Sequence, residues 1–208
     1  MSFSLTFLLK IRFFVILIVD TIGTVDDLIE NYEFQLQKLE ILGLNIYKQK
    51  IEEDYVEKTI SSLKVKYGIS IPASKRISGK YKLYASNGVT DYINQYNAEN
   101  SIIFGCRGSV GNVYYSEEKC FVLNTAFYIE SQNEYGNLYF SLIYENGLTL
   151  YATGAAQPQI TINAISNVNL KFPVDNELNS ILDLMSKLEN KIDILKQEKN
   201  LLLSKYFS

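Results

Sequence analysis

The sequence contains no histidine, and its 208 residues include only two cysteines and three prolines. Without histidine the chain cannot form a Ser-His or Cys-His nucleophile pair, a zincin site or a histidine acid–base catalyst. Cys106 and Cys120 are too few for a structural zinc site or a disulfide framework, and we expect both to be reduced and half-buried in strands. Pro72, Pro158 and Pro173 are never adjacent, which excludes the Asn/Asp-Pro-Pro-aromatic tetrad of an amino-methyltransferase.

The composition is 47% hydrophobic and 21% charged, which is typical of a soluble folded protein and not of a disordered one. An apolar stretch over residues 5–20 is interrupted by Lys10 and Arg12, and its uninterrupted part covers only residues 13–19. A membrane-spanning helix needs about 20 apolar residues. We therefore expect residues 1–19 to form an apolar N-terminal extension of a cytoplasmic protein with no membrane partner, although a signal peptide remains an alternative.

Two segments have the apolar spacing of amphipathic helices. Residues 20–56 form the first predicted helix, with Thr24 as its N-cap and Gly43 filling one gap in the apolar stripe. Residues 174–208 form the second, with a heptad pattern in which Lys199 is the one polar position. The first stripe consists of Val25, Ile29, Tyr32, Leu36, Leu39 and Ile46. The second consists of Leu178, Ile181, Met185, Leu188, Ile192, Leu195, Leu202 and Tyr206.

The two helical segments resemble each other when the chain is shifted by 159 residues. Ile22, Ile29, Leu36 and Tyr47 then align with apolar or aromatic residues, and Tyr47 aligns with Tyr206. One interpretation is a true internal repeat in which two equivalent helices flank one domain. The alternative is chance, because any two amphipathic helices align to some extent.

Residues 57–173 between these helices are rich in tyrosine, phenylalanine, valine and isoleucine, with turns formed by glycine and asparagine. This pattern predicts an α+β domain built from short strands. The predicted strand regions are "KYKLYASNGVTDYI", "SIIFGCRGSVGNVYY", "CFVLNTAFYI" and "PQITINAI". Residues 133–147 are compatible with either a short helix or a strand.

Charge is distributed unevenly along the chain. The formal net charge is −3, yet residues 58–82 contain seven basic residues and no acidic one. Tyr67 and Tyr81 lie within this basic stretch, and Tyr84 follows it. Such a pattern is the usual electrostatic signature of a surface that binds a phosphate backbone, and a merely solvated loop face is the alternative.

A glycine-rich segment, "FGCRGSVGNVYY", places Gly105, Gly108 and Gly111 around Arg107. It lacks the Lys-Ser/Thr that ends a Walker A loop, and strand-like sequence follows it where a dinucleotide site needs a helix. We interpret it as a tight turn between strands that exposes Arg107 and Ser109. An arginine in such a turn can bind O6 and N7 of guanine together.

A metal-dependent nuclease is a further interpretation. Asp91, Glu117 and Lys119 are residue types that can hold magnesium and a water molecule. Acidic residues two positions before a lysine are nevertheless common by chance, and the glutamate lies in a predicted turn.

The motifs "YKLYASNGVTDYINQY", "IIFGCRGSVGNVYY", "NTAFYI" and "GAAQPQITINAISNVNLKFP" occur in this order and are followed directly by a long helix. This region, residues 81–207, resembles the specificity (S) subunit of type I restriction-modification systems. "TVDDLIENYEFQLQKLE" and "NIYKQ" resemble the helix that closes a preceding recognition unit. The proline-rich "PPLPEQ"-type stretch that usually leads into this helix is absent; only "FPVDNEL" stands before the second helix.

The resemblance implies a half-length form with one target recognition domain, where full-length members carry two. In that family the recognition domain reads one half of a split DNA site. The helices act as a spacer and dock the methyltransferase subunits, through which the restriction subunit joins. The resemblance therefore implies a non-catalytic DNA-recognition subunit with no cofactor and no metal.

The predicted architecture is α+β, with a strand-rich mixed recognition domain flanked by two long helices that form an antiparallel coiled-coil stalk. We expect a second S half or an identical copy to complete a two-part site. The residues predicted to contact DNA phosphates are Lys64, Lys66, Lys75, Arg76, Lys80 and Lys82. The residues predicted to contact base edges are Tyr84, Ser86, Asn87, Arg107 and Ser109. A stand-alone DNA-binding regulator is the main alternative.

Overall fold

The computed structural model describes residues 5–207, and residues 1–4 and Ser208 of the predicted extension and second helix lie outside it. A single α-helix, α1, runs from Leu5 to Glu53. The predicted boundary between residues 19 and 20 is therefore absent, and Thr24 is not an N-cap. The Thr24 hydroxyl instead donates a hydrogen bond to the Asp20 carbonyl oxygen one turn earlier (2.9 Å), which lets threonine sit inside a helix.

One compact unit comprises the described part of α1 up to Glu40 and the second helical segment from Lys187 onward. The second segment belongs to α4, a helix from Glu177 to Phe207. Within this unit the Lys199 ammonium binds the Asp26 carboxylate (2.5 Å), and the Lys196 ammonium binds Glu33 (2.8 Å). Because higher numbers on one helix meet lower numbers on the other, the two helices run antiparallel, as predicted.

The apolar stripes predicted from periodicity lie on the less exposed faces of both helices. Ile29, Leu188 and Ile192 are buried. Val25, Tyr32, Leu36 and Leu39 are half-buried, and so are Leu195 and Leu202. Lys199, the polar exception in the second stripe, is half-buried and is matched by Asp26. Tyr206, the last residue of the second predicted stripe, is 38% exposed, so that stripe is confirmed only as far as Leu202.

The second compact unit, Ile41–Ser186, contains all the strands. Nine strands are present in the described residues: β1 (Tyr55–Thr59), β2 (Lys66–Tyr67), β3 (Ser78–Ala85), β4 (Gly88–Ile93), β5 (Ser101–Gly105), β6 (Val113–Ser116), β7 (Cys120–Val122), β8 (Ala126–Glu130) and β9 (Asn169–Pro173). Short 3-10 helices occupy Ile60–Leu63 and Ala73–Lys75, and a third 3-10 segment, Asn146–Tyr151, is interrupted by non-helical residues at Gly147 and Leu148. The predicted α+β class is confirmed.

The strands form three small sheets. Strands β2, β8, β5 and β6 form a four-stranded sheet in that order, and β4, β3 and β7 form a three-stranded one. β1 pairs with β9 in a separate antiparallel ribbon. Among the strand pairs of residues 5–207, only β3–β7 is parallel. Phe104 on β5 and Phe127 on β8 are fully buried and face each other in the register.

Residues 133–147, which the sequence left open, form a helix, α2, from Tyr135 to Tyr144. The strand predicted at "PQITINAI" is wrong: in its first half only Gln159 forms isolated β-bridges, and in its second half a short helix, α3, runs from Ile162 to Ile165. The Thr161 hydroxyl accepts a hydrogen bond from the Ala164 amide (3.3 Å). A threonine N-cap can start a helix even in a sequence rich in β-branched residues.

The last turns of α1 and the first turns of α4 belong to the compact unit that holds the strands. Gly43 on α1 lies against Phe140 of α2, where a Cβ would come within 2.1 Å of the ring. Tyr47, two turns before the end of α1, donates a hydrogen bond from its hydroxyl to the Lys171 carbonyl oxygen of β9 (2.8 Å). The Lys50 ammonium binds Asp175 (2.6 Å), whose carboxylate also accepts the Glu177 amide at the start of α4.

Cys106 and Cys120 are both fully buried free thiols, not half-buried as predicted, and Cys106 follows β5 while Cys120 begins β7. Burial raises the pKa of each to about 11, so both remain protonated at neutral pH. A protonated, buried thiol is a poor nucleophile, which supports the non-redox role expected from the sequence. Across residues 5–207, no helix has enough length and apolar character to cross a membrane.

Candidate nucleic-acid interface

The glycine-rich loop connects β5 to β6, two antiparallel neighbours in the four-stranded sheet. Gly108 and Gly111 have positive φ values of 75° and 95°, a backbone conformation that favours glycine. At Gly105 a Cβ would lie 2.1 Å from the Ser109 carbonyl oxygen, so the loop folds back on its own first residue. Each glycine thus has a steric reason, and the prediction of a tight turn between strands is confirmed.

The loop exposes Arg107 and Ser109 and fixes their backbone. The Arg107 amide donates a hydrogen bond to the Thr125 carbonyl oxygen (3.1 Å), and the Cys106 carbonyl oxygen accepts the Ile160 amide (2.9 Å). Arg107 also forms an isolated antiparallel bridge with Gln159. Arg107 is therefore an exposed residue on a backbone that is held on two sides.

The turn between β3 and β4 packs against this loop. The Ser86 amide donates to the Thr125 hydroxyl (3.2 Å), and the Asn112 side-chain amide donates to the Ser86 carbonyl oxygen (3.4 Å). Gly88 has a φ of 98°, and Asn87 before it is exposed. Asn87 and Arg107 thus belong to two turns that share hydrogen-bonding partners.

A third segment, residues 146–160, completes the surface beside the glycine loop. Thr153 and Gln159 pair through two backbone hydrogen bonds of 2.9 Å each, and Gln159 is also the bridge partner of Arg107. At Gly111 a Cβ would lie 2.4 Å from the Thr149 methyl group, so the two segments are in contact. We call these three segments, residues 86–88, 105–112 and 146–160, the loop cluster.

Two of the residues predicted to contact base edges are not available for this role. Tyr84 is 3% exposed and belongs to a core cluster with Ile103 and Val122. Ser86 is 7% exposed and sits beneath Gly105 and Gly108. Both faces of β3 pack against other residues in this region, since Leu83 and Tyr84 belong to two different core clusters. The prediction assumes an exposed hairpin, in which Tyr84 would face solvent. For Tyr84 and Ser86 the structure corrects the prediction to a packing role.

In the folded chain, acidic side chains neutralise some of the positive charge of the basic stretch, residues 58–82. The Lys66 ammonium binds the Glu130 carboxylate of β8 (2.6 Å), which raises the pKa of Lys66. Lys58 pairs with Glu134. The Arg76 guanidinium donates two hydrogen bonds of 3.3 Å to the Ile71 carbonyl oxygen and so stabilises its own turn. Acidic residues distant in sequence thus compensate part of the predicted stripe.

The remaining basic candidates lie away from the loop cluster. In the strand register, Gly105 lies opposite Ala126 at the end of β5 that leads into the loop, and Ser101 lies opposite Glu130 at the other end. Lys66, which forms an ion pair with Glu130, is therefore at the end of β5 away from the loop. In the β3–β4 hairpin, Ser78 pairs with Ile93 at the end opposite the turn, and Lys75 precedes that end. Lys64, Lys75 and Lys80 are exposed, and Lys82 is half-buried in the middle of β3.

A cluster of tyrosines and lysines was missed by the sequence analysis. The Tyr81 and Tyr96 rings lie 5.2 Å apart between centroids. The Lys119 ammonium is 4.6 Å from the Tyr96 ring, and the Lys80 ammonium is 5.3 Å from the Tyr81 ring. Tyr96 is half exposed. Alternation along β3 indicated Tyr81, but nothing local in the sequence indicated that residues 96 and 119 meet it.

The nuclease interpretation gains no support from the geometry. In the part of the chain that the structure describes, no three acidic, cysteine or histidine side chains are grouped so that they could hold a metal ion. The Asp91 carboxylate accepts a hydrogen bond from the Tyr92 amide (2.8 Å), and the Lys119 ammonium lies 3.4 Å from the Tyr96 hydroxyl oxygen. Glu117 lies in the turn between β6 and β7.

The comparisons with known proteins agree with this architecture. The family model for the type I restriction modification DNA specificity domain matches residues 52–204, which is more than half of the chain. The chain therefore belongs to the family of type I restriction-modification DNA specificity proteins, and it carries one target recognition domain. No curated protein is significantly similar in sequence.

Solved structures show the same fold at low sequence identity. The S subunit of a type I restriction-modification system from M. genitalium is 20% identical with a TM-score of 0.63, covering 90% of this chain and 57% of that one. The HsdS subunit from Thermoanaerobacter tengcongensis is 14% identical with a TM-score of 0.50, covering 93% and 56%. A chain from a structure on complex assembly and conformational transition of the type I R-M system is 14% identical with a TM-score of 0.51. The chain spans just over half the length of these proteins.

Proposed function

We propose that this chain is a non-catalytic DNA-recognition subunit of a cytoplasmic type I restriction-modification complex, and that it reads one half of a split target. The observation that carries the proposal is the loop cluster, in which a rigid backbone presents Arg107 at one end of a recognition domain of this family. Arg107 is the loop-cluster side chain with the geometry to bind a guanine through two hydrogen bonds.

The positions of the basic residues fit this proposal. Lys66 lies towards the Ser101 end of β5, and Arg107 follows the Gly105 end. Five strand residues span roughly 13 Å at about 3.3 Å per residue, which is close to the ~12 Å width of the major groove. Loops that enter the groove would thus leave the exposed Lys64, two residues before Lys66, near a bordering phosphate strand, whereas Lys66 itself is paired with Glu130. Asn87 and Ser109 are proposed to contact base edges beside Arg107.

The first prediction concerns Arg107 and uses the chain assembled with its methyltransferase subunit. The target is first selected by this complex from a randomised duplex library. Arg107→Ala should then weaken binding to the target by about 1–3 kcal/mol and binding to random DNA much less, as measured by fluorescence anisotropy titration.

Arg107→Lys is the matched control for charge. It keeps the positive charge but loses the planar fork, so it should lose affinity for the target while it keeps affinity for random DNA. Equal losses on both DNAs in the alanine variant would show that Arg107 binds phosphate. A complex that selects no sequence at all would contradict the proposed function.

We further propose that the helices associate with partner proteins: the methyltransferase subunits, through them the restriction subunit, and a second S half or an identical copy. Support comes from the helical unit, where Ile194 and Leu201, two heptad-spaced residues of α4, are 55% and 68% exposed. Phe13 and Phe34 of α1 are also exposed. Large apolar side chains that recur along a helix are typical of a protein-binding face. We propose that the helices of this unit form the predicted coiled-coil stalk.

The second prediction tests this assembly. Ile194→Glu together with Leu201→Glu should abolish association with the methyltransferase subunit, or self-association, without unfolding the chain, because both side chains are exposed. Sedimentation velocity of the chain alone and with that subunit is the measurement. Gln197→Glu, an exposed position on the same helix, is the charge control and should leave both associations unchanged.

Two further outcomes decide between interpretations. Leu188→Glu places a charge at a buried position and should disrupt the helical unit itself, which circular dichroism would detect. A wild-type chain that binds DNA but neither self-associates nor binds the methyltransferase subunit would be a stand-alone DNA-binding regulator.

A further inference from the structure

Leu150, at 86% exposure, is one of the most exposed large apolar side chains in the part of the chain that the structure describes. A single exposed leucine is ordinary on a protein surface and by itself indicates nothing. The backbone that holds Leu150 is not ordinary, however, and its position within the loop cluster connects it to Arg107.

The segment before Leu150 has three consecutive residues in the left-handed region: Asn146, Gly147 and Leu148 have φ values of 49°, 57° and 64°. This conformation costs roughly 1–2 kcal/mol for most side chains, and it is unfavourable for Leu148, whereas glycine and asparagine adopt it readily. Such strain persists only where the surroundings impose it, and it is concentrated at functional sites. The structure therefore maintains an unfavourable backbone in order to reach a particular surface geometry.

The contacts that impose this geometry are identifiable. The Leu148 side chain is 1% exposed and anchors the segment in the core. A Cβ at Gly147 would lie 2.1 Å from the Gly111 carbonyl oxygen, so the turn is pressed against the glycine loop. The Asn146 side-chain amide donates to the Thr149 hydroxyl (2.9 Å), and the Ala152 amide donates to the Thr149 carbonyl oxygen (3.0 Å). Leu150 thus projects from a turn fixed on both sides.

The same turn is attached to Arg107 at both of its ends. Before Leu150, Thr149 contacts Gly111 of the glycine loop. After Leu150, Thr153 pairs with Gln159, which is also the bridge partner of Arg107. Leu150 and Arg107 therefore belong to segments of the loop cluster that are in direct contact.

We propose that Leu150 is a specificity-determining residue that contacts the C5-methyl group of a thymine next to the base pair bound by Arg107. This inference rests on the proposed function. Leucine has no hydrogen-bond donor or acceptor, so it can recognise only an apolar group. In the major groove, where Arg107 would bind O6 and N7 of guanine, the apolar group on a base edge is the thymine methyl.

The test combines a protein change with a DNA change, using the full chain assembled with its methyltransferase subunit. Leu150→Ala should weaken binding to the selected target about tenfold, with little effect on random DNA. Replacement by uracil of the thymine adjacent to the Arg107-dependent guanine removes one methyl group. It should weaken wild-type binding about fourfold, which corresponds to ~0.8 kcal/mol for one buried methyl or methylene group. The Leu150→Ala variant should be indifferent to that replacement.

Two control variants separate this effect from a general loss of apolar surface. Leu150→Met keeps an apolar side chain of similar size and should retain target affinity. Val174→Ala shortens another exposed apolar residue, 65% exposed, in the same compact unit and should change nothing. Thermal unfolding of each variant checks that the fold is retained.

Failure of the inference is distinguishable from failure of the proposed function. If Arg107→Ala reduces target binding but Leu150→Ala does not, or if uracil affects the variant as strongly as the wild type, the thymine contact is overturned. If Leu150→Ala impairs binding to the methyltransferase subunit and leaves DNA binding intact, Leu150 belongs to a protein interface. If the wild-type complex has no sequence preference, the proposed function fails.

Discussion

At the scale of single residues, burial separates the predicted site residues that can meet DNA from those that cannot. Arg107, Asn87 and Ser109 are exposed because each lies in a turn whose glycines carry the strained backbone. Residue type and glycine spacing are local signals, so the sequence could predict these three. Tyr84 could not be assigned correctly, since its burial depends on β7 packing beside β3, a pairing that no local pattern specifies.

The buried hydroxyl of Tyr47 makes the stability of the chain depend on pH. Its side chain is 1% exposed, and its hydroxyl donates to the Lys171 carbonyl oxygen. Burial, followed by repulsion from Glu145, raises the pKa of Tyr47 above its ordinary value. The folded state therefore retains a proton that the unfolded state releases near pH 10, and this contribution to stability decreases as pH rises above 10.

The third prediction follows from this hydrogen bond. Tyr47→Phe should lower the free energy of unfolding by about 1 kcal/mol at pH 8, because the carbonyl loses its partner. The variant should also lose less stability than the wild type between pH 8 and pH 10.5. Urea unfolding at both pH values is the measurement. Tyr151→Phe, at a tyrosine 39% exposed, is the control and should change stability little.

At the scale of secondary-structure elements, the apolar periodicity of the sequence predicted structure best in the longest helices. The heptad pattern of α4 and the stripe on α1 identified the less exposed face of each helix. The same reasoning placed the start of α1 incorrectly at Thr24. From sequence alone, an N-cap threonine cannot be distinguished from a threonine inside a helix that donates a hydrogen bond to a carbonyl oxygen one turn earlier. It also missed α3, whose four residues are too few for a helical period and are started by Thr161.

The fourth prediction compares two glycines on α1. Alanine is favoured over glycine inside a helix by about 0.8–1 kcal/mol. Gly23 has no other atom within 4 Å of its added Cβ, so Gly23→Ala should stabilise the chain by up to that amount. At Gly43 the Cβ would meet the fully buried Phe140 ring at 2.1 Å, so Gly43→Ala should destabilise it by roughly 1–3 kcal/mol.

Differential scanning calorimetry of both variants provides the measurement. In a chain of this size, 1 kcal/mol corresponds to a shift of about 2–4 °C in Tm. Opposite signs of the shift are expected for the two variants. A stabilising effect of Gly43→Ala would mean that the Phe140 ring moves aside freely, which would contradict the close packing described for α1 and α2.

At the scale of the whole molecule, net charge conceals how charge is arranged. The chain is slightly acidic at −3, yet Lys64, Lys75 and Lys80 remain exposed in the unit that holds the strands. The acidic partners of Lys58 and Lys66 come from residues 130 and 134, far along the chain. Sequence reasoning could identify the basic stretch, but it could not identify that compensation, because it arises from tertiary contacts between segments distant in sequence.

The fifth prediction uses this difference between lysines. Reversing charge at Lys75 and Lys80 together should weaken binding of the assembled complex to all DNA sequences alike. It should also reduce the salt dependence of binding by about two counterions. Lys66→Glu is the contrasting variant: it reverses a lysine already paired with Glu130, so its first effect should be on stability. If the double variant binds at wild-type strength throughout a salt titration, the exposed lysines are merely solvated.

The contact between Gly43 and Phe140 has a consequence for exchange of domains between genes. When the two helices are aligned with an offset of 159 residues, Gly43 corresponds to Leu202. The position that packs against the Phe140 ring in the first helix therefore carries a bulky side chain in the second. Similar helices provide sites at which recombination could join a recognition domain to a new upstream helix. A domain with a phenylalanine at the position of Phe140, placed after α4, would meet a leucine where this domain meets a glycine. We therefore expect that such a fusion folds only when residue 202 is also replaced by a small residue.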